Sequence, residues 1–181
     1  IKNKFIWTSC SNRGLSVILN LWNEILTLLP DATLDICSYH AFPSGKEDDE
    51  MNKIILANPS IKHYGKLNIT ELYELMSISE YWLYTNTIAE SACITAFEML
   101  MSEVICLYYP IAGLVDTIGD YGIKVEKGNE IDTLKSINNE ETKKNIMRFK
   151  GREYALKCSW KNRATDWNNL LKLEKKSWIF Y

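Results

Sequence analysis

The segment Tyr81–Met101, YWLYTNTIAESACITAFEMLM, combines a strand, a loop and a helix start in one place. Tyr81–Tyr84 is an apolar run that predicts a buried strand, and Thr85–Ala89 is a polar loop. The apolar residues that follow recur at helical spacing and predict a helix over Ala92–Met101. Ser91 is its expected N-cap, because a serine hydroxyl can accept a hydrogen bond from a backbone N–H at a helix start.

Two carboxylates flank this predicted helix start. Glu90 comes just before the helix, and Glu98 lies two turns inside it. The free N–H groups at a helix N-terminus suit phosphate oxygens. Carboxylates accept hydrogen bonds, which suits them to the hydroxyl groups of a sugar. The segment therefore predicts a site for a ligand that carries both phosphates and hydroxyls.

Strands and helices alternate along the remainder of the chain. Further strands are predicted at Lys4–Thr8, Thr33–Ser38, Ile61–Tyr64, Val104–Tyr108 and Gly122–Val125. Amphipathic helical segments separate them, helices fill residues 140–175, and no connection has the form of a tight hairpin. This alternation is typical of βαβ units, so we expect an α/β fold with a Rossmann-like parallel sheet and helices on both faces. The 181 residues are most simply one domain.

The composition excludes several function classes. A formal net charge of −2 gives no general attraction to nucleic acid or acidic membranes, and no apolar run has the length of a transmembrane helix. Cys10, Cys37 and Cys106 lie in or beside apolar strand runs, which predicts buried reduced thiols and a cytoplasmic location. The two histidines, His40 and His63, are too far apart in sequence to suggest a metal site, so no metal is expected.

The spacing of the two glutamates carries a family resemblance. Glu90-x7-Glu98, within the wording AESACITAFEM, resembles the donor-site motif of retaining GT-B glycosyltransferases of family 4, the glycosyl transferases group 1. Three other segments are similar to the same family: WTSCSNRGLSVILNLWNEI at 7–25, HYGKLNITELYELMSISEYWLY at 63–84, and PIAGLVDTIGDYGIKVEKGN at 110–129. The resemblance covers nearly the whole chain, but it implies only the C-terminal, donor-binding half of a GT-B fold.

The resemblance implies a role for three charged residues. Glu98 resembles the residue that binds the ribose hydroxyls of a nucleotide, and Glu90 resembles the residue beside the donor sugar and diphosphate. Arg13, just after the first strand, could clamp the diphosphate by charge-assisted hydrogen bonds. Glu90 and Arg13 are therefore the expected catalytic residues. From the residues alone, a solvated helix glutamate, a loop carboxylate and a solvated helix-start arginine are equally compatible.

Other expected substrate-binding residues come from three segments. Backbone N–H groups after Glu90 would face the phosphates, a turn before residue 68 would read the nucleobase, and the loop after the fifth strand would line the donor pocket. These residues are Ser91, Ala92, Cys93, Gly65, Lys66, Leu67 and Ala112. Cys93 is more simply a packing residue than a nucleophile, and the turn is equally compatible with an ordinary strand–helix connection. Tyr39 and His40 could line the same cleft or lie at the surface.

Two functions remain open from the sequence. In the first, the chain is the nucleotide-sugar-binding half of a retaining glycosyltransferase that takes a UDP- or GDP-sugar as donor and needs no cofactor. The acceptor site would then lie in a missing N-terminal domain or partner chain, and the isolated chain would be poorly active. In the second, it is a non-catalytic GT-B-like binding or assembly module. A nicotinamide enzyme is disfavoured because no G-x-G-x-x-G follows the first strand.

The C-terminal tail is rich in aromatic residues. Ser159 is the expected N-cap of a final helix, and Trp160 and Trp167 follow at helical spacing, which predicts core or interface positions. The end, Trp178–Tyr181, is strongly apolar and should be covered by another surface. That surface would be this domain, the missing domain or a second copy of the chain, so self-association through the tail is a further expectation.

Overall fold

A computed structural model describes residues 1–38 and 46–177, with the side chains of 46–48 and 173–177 excepted. Tyr39 and His40, which were expected near the cleft, lie outside the described residues, as does the apolar end Trp178–Tyr181. The described residues contain a complete α/β unit, which confirms the predicted fold class.

Six parallel strands form one sheet in the order β3-β2-β1-β4-β5-β6. The strands are β1 (Lys4–Trp7), β2 (Thr33–Ile36), β3 (Ile61–His63), β4 (Tyr81–Tyr84), β5 (Ile105–Tyr108) and β6 (Ile123–Lys124). The direction of strand progression reverses between β1 and β4. In open α/β sheets, ligands bind outside the carboxyl ends of the strands at such a switch point.

Helices cover both faces of the sheet. They are α1 (Leu15–Asn20), α2 (Trp22–Leu28), α3 (Lys46–Ala57), α4 (Ile69–Ser77), α5 (Ile94–Met101), α6 (Leu114–Ile118), α7 (Glu130–Asn138), α8 (Glu141–Lys157) and α9 (Trp160–Ser177). Right-handed crossovers place the helices that precede β3 on one face, and α4, α5 and α6 on the other. In agreement, α1 packs on α3, while α5 packs on α6 and α8.

The core is dominated by aromatic side chains of the central strands. All four residues of β4 are buried, as expected for a strand that helices cover on both faces. Trp82 and Tyr84 stack with ring centroids 4.3 Å apart, and Trp7 lies 5.7 Å from Tyr84. Phe5 of β1 contacts the ring of Trp22 in α2 edge-on at 5.7 Å. These contacts fix the two strands whose carboxyl ends carry the predicted site.

A buried ionic cluster lies at the opposite, amino edge of the sheet. Lys144 of α8 is fully buried and donates to Glu80 Oε1 at 2.6 Å, while Arg148 reaches the same oxygen at 3.2 Å. Glu141 contacts both cations, at 2.9 and 2.8 Å. The backbone N–H of Asn3 donates to the second oxygen of Glu80 at 2.5 Å. The cluster therefore ties α8 to the starts of β1 and β4.

The described side chains of the final helix, α9, lie outside the core. Every described side chain from Trp160 to Lys172 is exposed, including Trp160 at 78% and Trp167 at 64%. The expectation that these tryptophans are core residues is therefore wrong, and an interface position remains a prediction. Helix α8 ends at Lys157 with Cys158 as its C-cap, and α9 begins as a separate helix at Trp160. Trp160, Trp167 and Leu171 share one face of α9, because they are separated by seven and four residues.

Candidate functional site

Two loops meet where the strand order reverses. Gly14 ends the short 3₁₀ turn Ser11–Arg13 after β1, and Thr85 directly follows β4. The Thr85 hydroxyl donates to the Gly14 carbonyl at 2.7 Å. A Cβ atom on Gly14 would lie 2.3 Å from the Thr85 carbonyl oxygen, so only glycine permits this approach. The contact holds the loop after β1 against the loop after β4.

The Glu90 carboxylate lies at this junction and has three partners. Its Oε1 atom accepts hydrogen bonds from the Tyr84 hydroxyl at 2.6 Å and from Asn86 Nδ2 at 2.5 Å. An Arg13 guanidinium nitrogen forms an ion pair with the same oxygen at 2.7 Å. The Glu90 side chain is only 12% exposed and that of Arg13 is 32% exposed. The structure thus brings together the two residues that were predicted to be catalytic.

The surroundings of this cluster raise the pKa values of Arg13 and Tyr84. Burial lowers the pKa of Arg13, but the nearby charge of Glu90 and the contact with Tyr84 outweigh it, and the net change is upward. Burial and the hydrogen bond to Glu90 raise the pKa of Tyr84, so the phenol remains a donor near neutral pH. The Arg13–Glu90 pair carries no net charge. The ion pair therefore has little long-range electrostatic attraction for an anion.

Cys93 stays a neutral thiol. It is buried, and burial together with the charge of Glu90 raises its pKa to about 12. A thiol is a nucleophile only as the thiolate, so the structure agrees with a packing role for this residue. The thiols at Cys37 and Cys106 are also buried, as predicted, while Cys10 is half-buried.

The predicted N-cap, Ser91, is wrong. Helix α5 begins at Ile94, two residues later than expected, and its N-cap is Cys93, which makes no side-chain capping bond. Ser91 is exposed, and its backbone packs against Gly113, where a Cβ would lie 2.2 Å from the Ser91 carbonyl oxygen. Gly113 N–H also donates to the Glu90 carbonyl at 2.8 Å. These contacts hold residues 90–91 in a non-helical loop, and the helix starts only at Ile94.

The remaining predicted binding residues lie in loops that follow strands β3, β4 and β5. Ala92 is exposed in the loop before α5, and Ala112 is exposed after β5 with a positive φ of 45°. A non-glycine residue in that conformation is strained, which is common at ligand sites. Lys66 is exposed and Leu67 half-buried in the turn after β3. All of them follow the carboxyl ends of strands.

The turn at Gly65 is joined to the neighbouring strand end. The Gly65 carbonyl accepts a hydrogen bond from Ser38 N–H at 3.1 Å, and Ser38 Oγ lies 3.0 Å from His63 Nε2. Helix α4 then starts with a complete capping box between Asn68 and Glu71. The turn is therefore held in place, and its backbone N–H and C=O groups could form hydrogen bonds with a nucleobase.

Glu98 is half-buried on α5 and has a partner from another helix. Its Oε1 accepts a hydrogen bond from the Tyr73 hydroxyl of α4 at 3.0 Å. Tyr73 was not expected at the site, nor were Tyr84, Thr85 and Asn86. The polar loop after β4 indicated that the last two could be functional, but nothing in the sequence distinguishes Tyr73 from other surface residues. Its contact depends on how α4 and α5 pack.

One cavity among the described residues lies away from the predicted site. Among the described residues, no group of three or more His, Cys, Asp or Glu side chains could hold a metal ion. An open cavity of about 450 Å³ lies at the amino edge instead, lined by Glu80, Glu103, Glu141 and Arg148 among others. Since it adjoins the ionic cluster and not the switch point, we assign it no part in the predicted site.

Comparison with solved structures places the fold among glycosyltransferases. HepE of Anabaena, solved with UDP and glucose, superposes with a TM-score of 0.75 at 13% identity, covering 96% of this chain and 49% of that one. The pneumococcal O-GlcNAc transferase GtfA, solved with UDP and GlcNAc, gives 0.67 at 18% identity, covering 94% and 35%. TarM of S. aureus gives 0.72 at 15%, covering 93% and 35%. These neighbours are GT-B glycosyltransferases.

The similarity establishes the fold and spans only part of each neighbour. The chain covers between 35% and 49% of the length of these three structures. No family model matches the chain, and no curated protein matches it. Within residues 1–38 and 46–177, none of the helices combines the length and apolar character needed to cross a membrane. The chain therefore shares its fold with a part of each of these structures, at low sequence identity.

Proposed function

We propose that the chain is the nucleotide-sugar-binding half of a retaining, family 4-like glycosyltransferase. The observation that carries the proposal is the Arg13–Glu90 pair, at 2.7 Å, beside the start of α5 at the switch point. The nucleobase would lie against the Gly65 turn, the ribose at Glu98 and the diphosphate at Arg13 and the loop before α5. Each group of a UDP- or GDP-sugar then meets a residue suited to it.

In this proposal, catalysis requires more than this chain. Arg13 and the backbone N–H groups of Ala92 and Cys93 would stabilise the leaving diphosphate, as preorganised donors do for developing negative charge. Glu90, held by Tyr84 and Asn86, would face the donor sugar. The acceptor hydroxyl would come from an N-terminal domain or a partner chain, which the exposed stripe of α9 would help to bind. The isolated chain would then bind donor but transfer sugar poorly, in the cytoplasm.

The alternative is a non-catalytic GT-B-like binding or assembly module, and one observation favours it. The Arg13 guanidinium is already paired with Glu90, so the junction offers no net positive charge to a diphosphate. The exposed apolar stripe of α9 would suit an assembly role equally well. Nucleotide binding separates the two proposals, because only the first requires it.

Loss of the Glu98 carboxylate should weaken nucleotide binding selectively. Glu98→Ala removes charge-assisted hydrogen bonds to the ribose hydroxyls, each worth roughly 1.5–3 kcal/mol. We expect the Kd for UDP, or for GDP if that is the better ligand, to rise about tenfold or more in isothermal titration calorimetry. The fold should persist, because Glu98 lies on a helix surface.

The matched control for this experiment is Glu153→Ala, which removes an exposed glutamate from α8. The Kd of the Glu153→Ala variant for the same nucleotide should equal that of the wild-type chain. If the wild-type chain binds neither UDP nor GDP, the assembly module is favoured. If Glu98→Ala leaves the Kd unchanged, only the ribose role of Glu98 is excluded.

Donor binding should not depend on a divalent cation. In the proposed site, Arg13 and backbone N–H groups stabilise the diphosphate by hydrogen bonds, a task that a metal ion performs in other phosphate sites. The Kd for UDP should therefore agree within about twofold between buffers with EDTA and with manganese, a difference near the usual error of the method. A requirement for manganese would contradict the GT-B assignment of these residues.

A further inference from the structure

Tyr73 and Glu98 form a pair that spans two helices at the same depth below the candidate site. Each is the fifth residue of its helix, since α4 begins at Ile69 and α5 at Ile94. Both helices start at the carboxyl edge of the sheet. With a rise of 1.5 Å per residue, both side chains leave their helices about 6 Å below that edge. The Tyr73 hydroxyl donates to Glu98 Oε1 at 3.0 Å.

The bond restricts a side chain that would otherwise move freely. Glu98 is half-buried, and no described cation pairs with it. A free glutamate samples many rotamers, and a ligand must select one of them on binding. A carboxylate has about four acceptor positions, so the phenol can occupy one and leave others for two adjacent hydroxyls. The Tyr73 hydroxyl of α4 thus orients the Glu98 carboxylate and leaves acceptor positions open for a ligand.

We infer that Tyr73 is a positioning residue that orients Glu98 towards the vicinal hydroxyls of a ribonucleotide and so gives the site preference for ribose over deoxyribose. The inference rests on the proposed nucleotide-binding function. Tyr73 lies one turn after the start of α4, which directly follows the Gly65 turn. It therefore couples the element that would hold the base to the residue that would hold the ribose.

The experiment compares UDP with its 2′,3′-dideoxy analogue, which lacks both ribose hydroxyls. In Tyr73→Phe, the ring remains and only the hydroxyl is lost. We expect the Kd for UDP to rise about three- to tenfold, less than for a lost charge-assisted hydrogen bond because Glu98 can still reach the ribose, while the Kd for dideoxy-UDP stays unchanged. A role in packing alone would change both Kd values together, so the ratio isolates positioning.

A double-mutant cycle supplies the second measurement. If Tyr73 acts through Glu98, adding Tyr73→Phe to Glu98→Ala should cause no further loss of UDP affinity. Tyr154→Phe is the matched control, since it also removes a single phenol hydroxyl, which donates to the Asp116 carbonyl at 3.3 Å on another part of the surface. It should leave both Kd values unchanged.

The outcomes distinguish this inference from the function on which it rests. Selective loss for UDP in Tyr73→Phe, absent in the Glu98→Ala background, supports it. Equal affinity of the wild-type chain and Tyr73→Phe for UDP overturns the inference and leaves the proposed function intact. Loss of affinity for both ligands to the same extent also overturns it, as a packing effect. Absence of UDP and GDP binding to the wild-type chain overturns the proposed function itself.

Discussion

Lys144→Met is expected to destabilise the fold by about 3 kcal/mol, because it breaks a buried ion pair from one side. Lys144 is fully buried and bonded to Glu80, whose side chain is 4% exposed. Methionine fills much of the same volume but leaves the Glu80 carboxylate with Arg148 as its remaining cation, at 3.2 Å. For a domain of this size, the midpoint of thermal unfolding should fall by about 6–12 °C.

Two further variants locate the cause of that loss. Lys143→Met changes the exposed neighbour on the same helix and should alter stability by no more than about 0.5 kcal/mol. Glu80→Leu combined with Lys144→Met removes both buried charges and should recover part of the loss, since well-packed apolar pairs often replace buried ion pairs without cost. Circular dichroism during heating measures all three variants. Equal unfolding midpoints for Lys143→Met and Lys144→Met would show that the buried ion pair with Glu80 does not contribute to stability.

The alternation of strands and helices was sufficient to predict the fold class. The predicted strand Tyr81–Tyr84 agrees with β4 residue for residue, and the other strands agree within two residues at each end. Such runs are readable because strands buried on both faces are largely apolar, as all four residues of β4 show. The strand order was not predictable, because a parallel sheet can add its next strand at either edge. That order decides where the switch point lies.

The candidate site was predicted in its residues but not in its contacts. The family resemblance placed both Arg13 and Glu90 beside the diphosphate of the donor. Their direct pairing and the donation from Tyr84 and Asn86 depend on the packing of the loops after β1 and β4. The error at Ser91 has the same origin. A local preference for a helix cap was outweighed by tertiary contacts with Gly113.

Lys144 shows the limit of sequence patterns most clearly. It lies in Glu140–Arg148, EETKKNIMR, a run of charged and polar residues that would ordinarily be a solvated helix face. Lys144 can be buried because it pairs with Glu80, a buried glutamate just before β4 and 64 residues away in sequence. Periodicity within α8 carries no information about that partner.

Gly14→Ala is expected to have the largest effect at the candidate site, by about 3–4 kcal/mol of folding stability. Gly14 has φ +102°, a left-handed conformation that costs an alanine roughly 1–2 kcal/mol. Its Cβ would also lie 2.3 Å from the Thr85 carbonyl oxygen and 2.9 Å from the Thr85 hydroxyl oxygen. Relief of such an overlap requires backbone shifts that cost typically 1–3 kcal/mol.

Gly128→Ala separates the two contributions, because Gly128 has a similar φ of +92° and no atom within 4 Å of an added Cβ. It should lose only the conformational part, about 1–2 kcal/mol, in chemical denaturation. The difference between the variants then measures the close approach of the two loops. Because that approach places Arg13 beside Glu90, Gly14→Ala should also weaken UDP binding, whereas Gly128→Ala should not. Equal stability losses in the two variants would mean that the loops can separate freely, and the Arg13–Glu90 pair would then not depend on this contact.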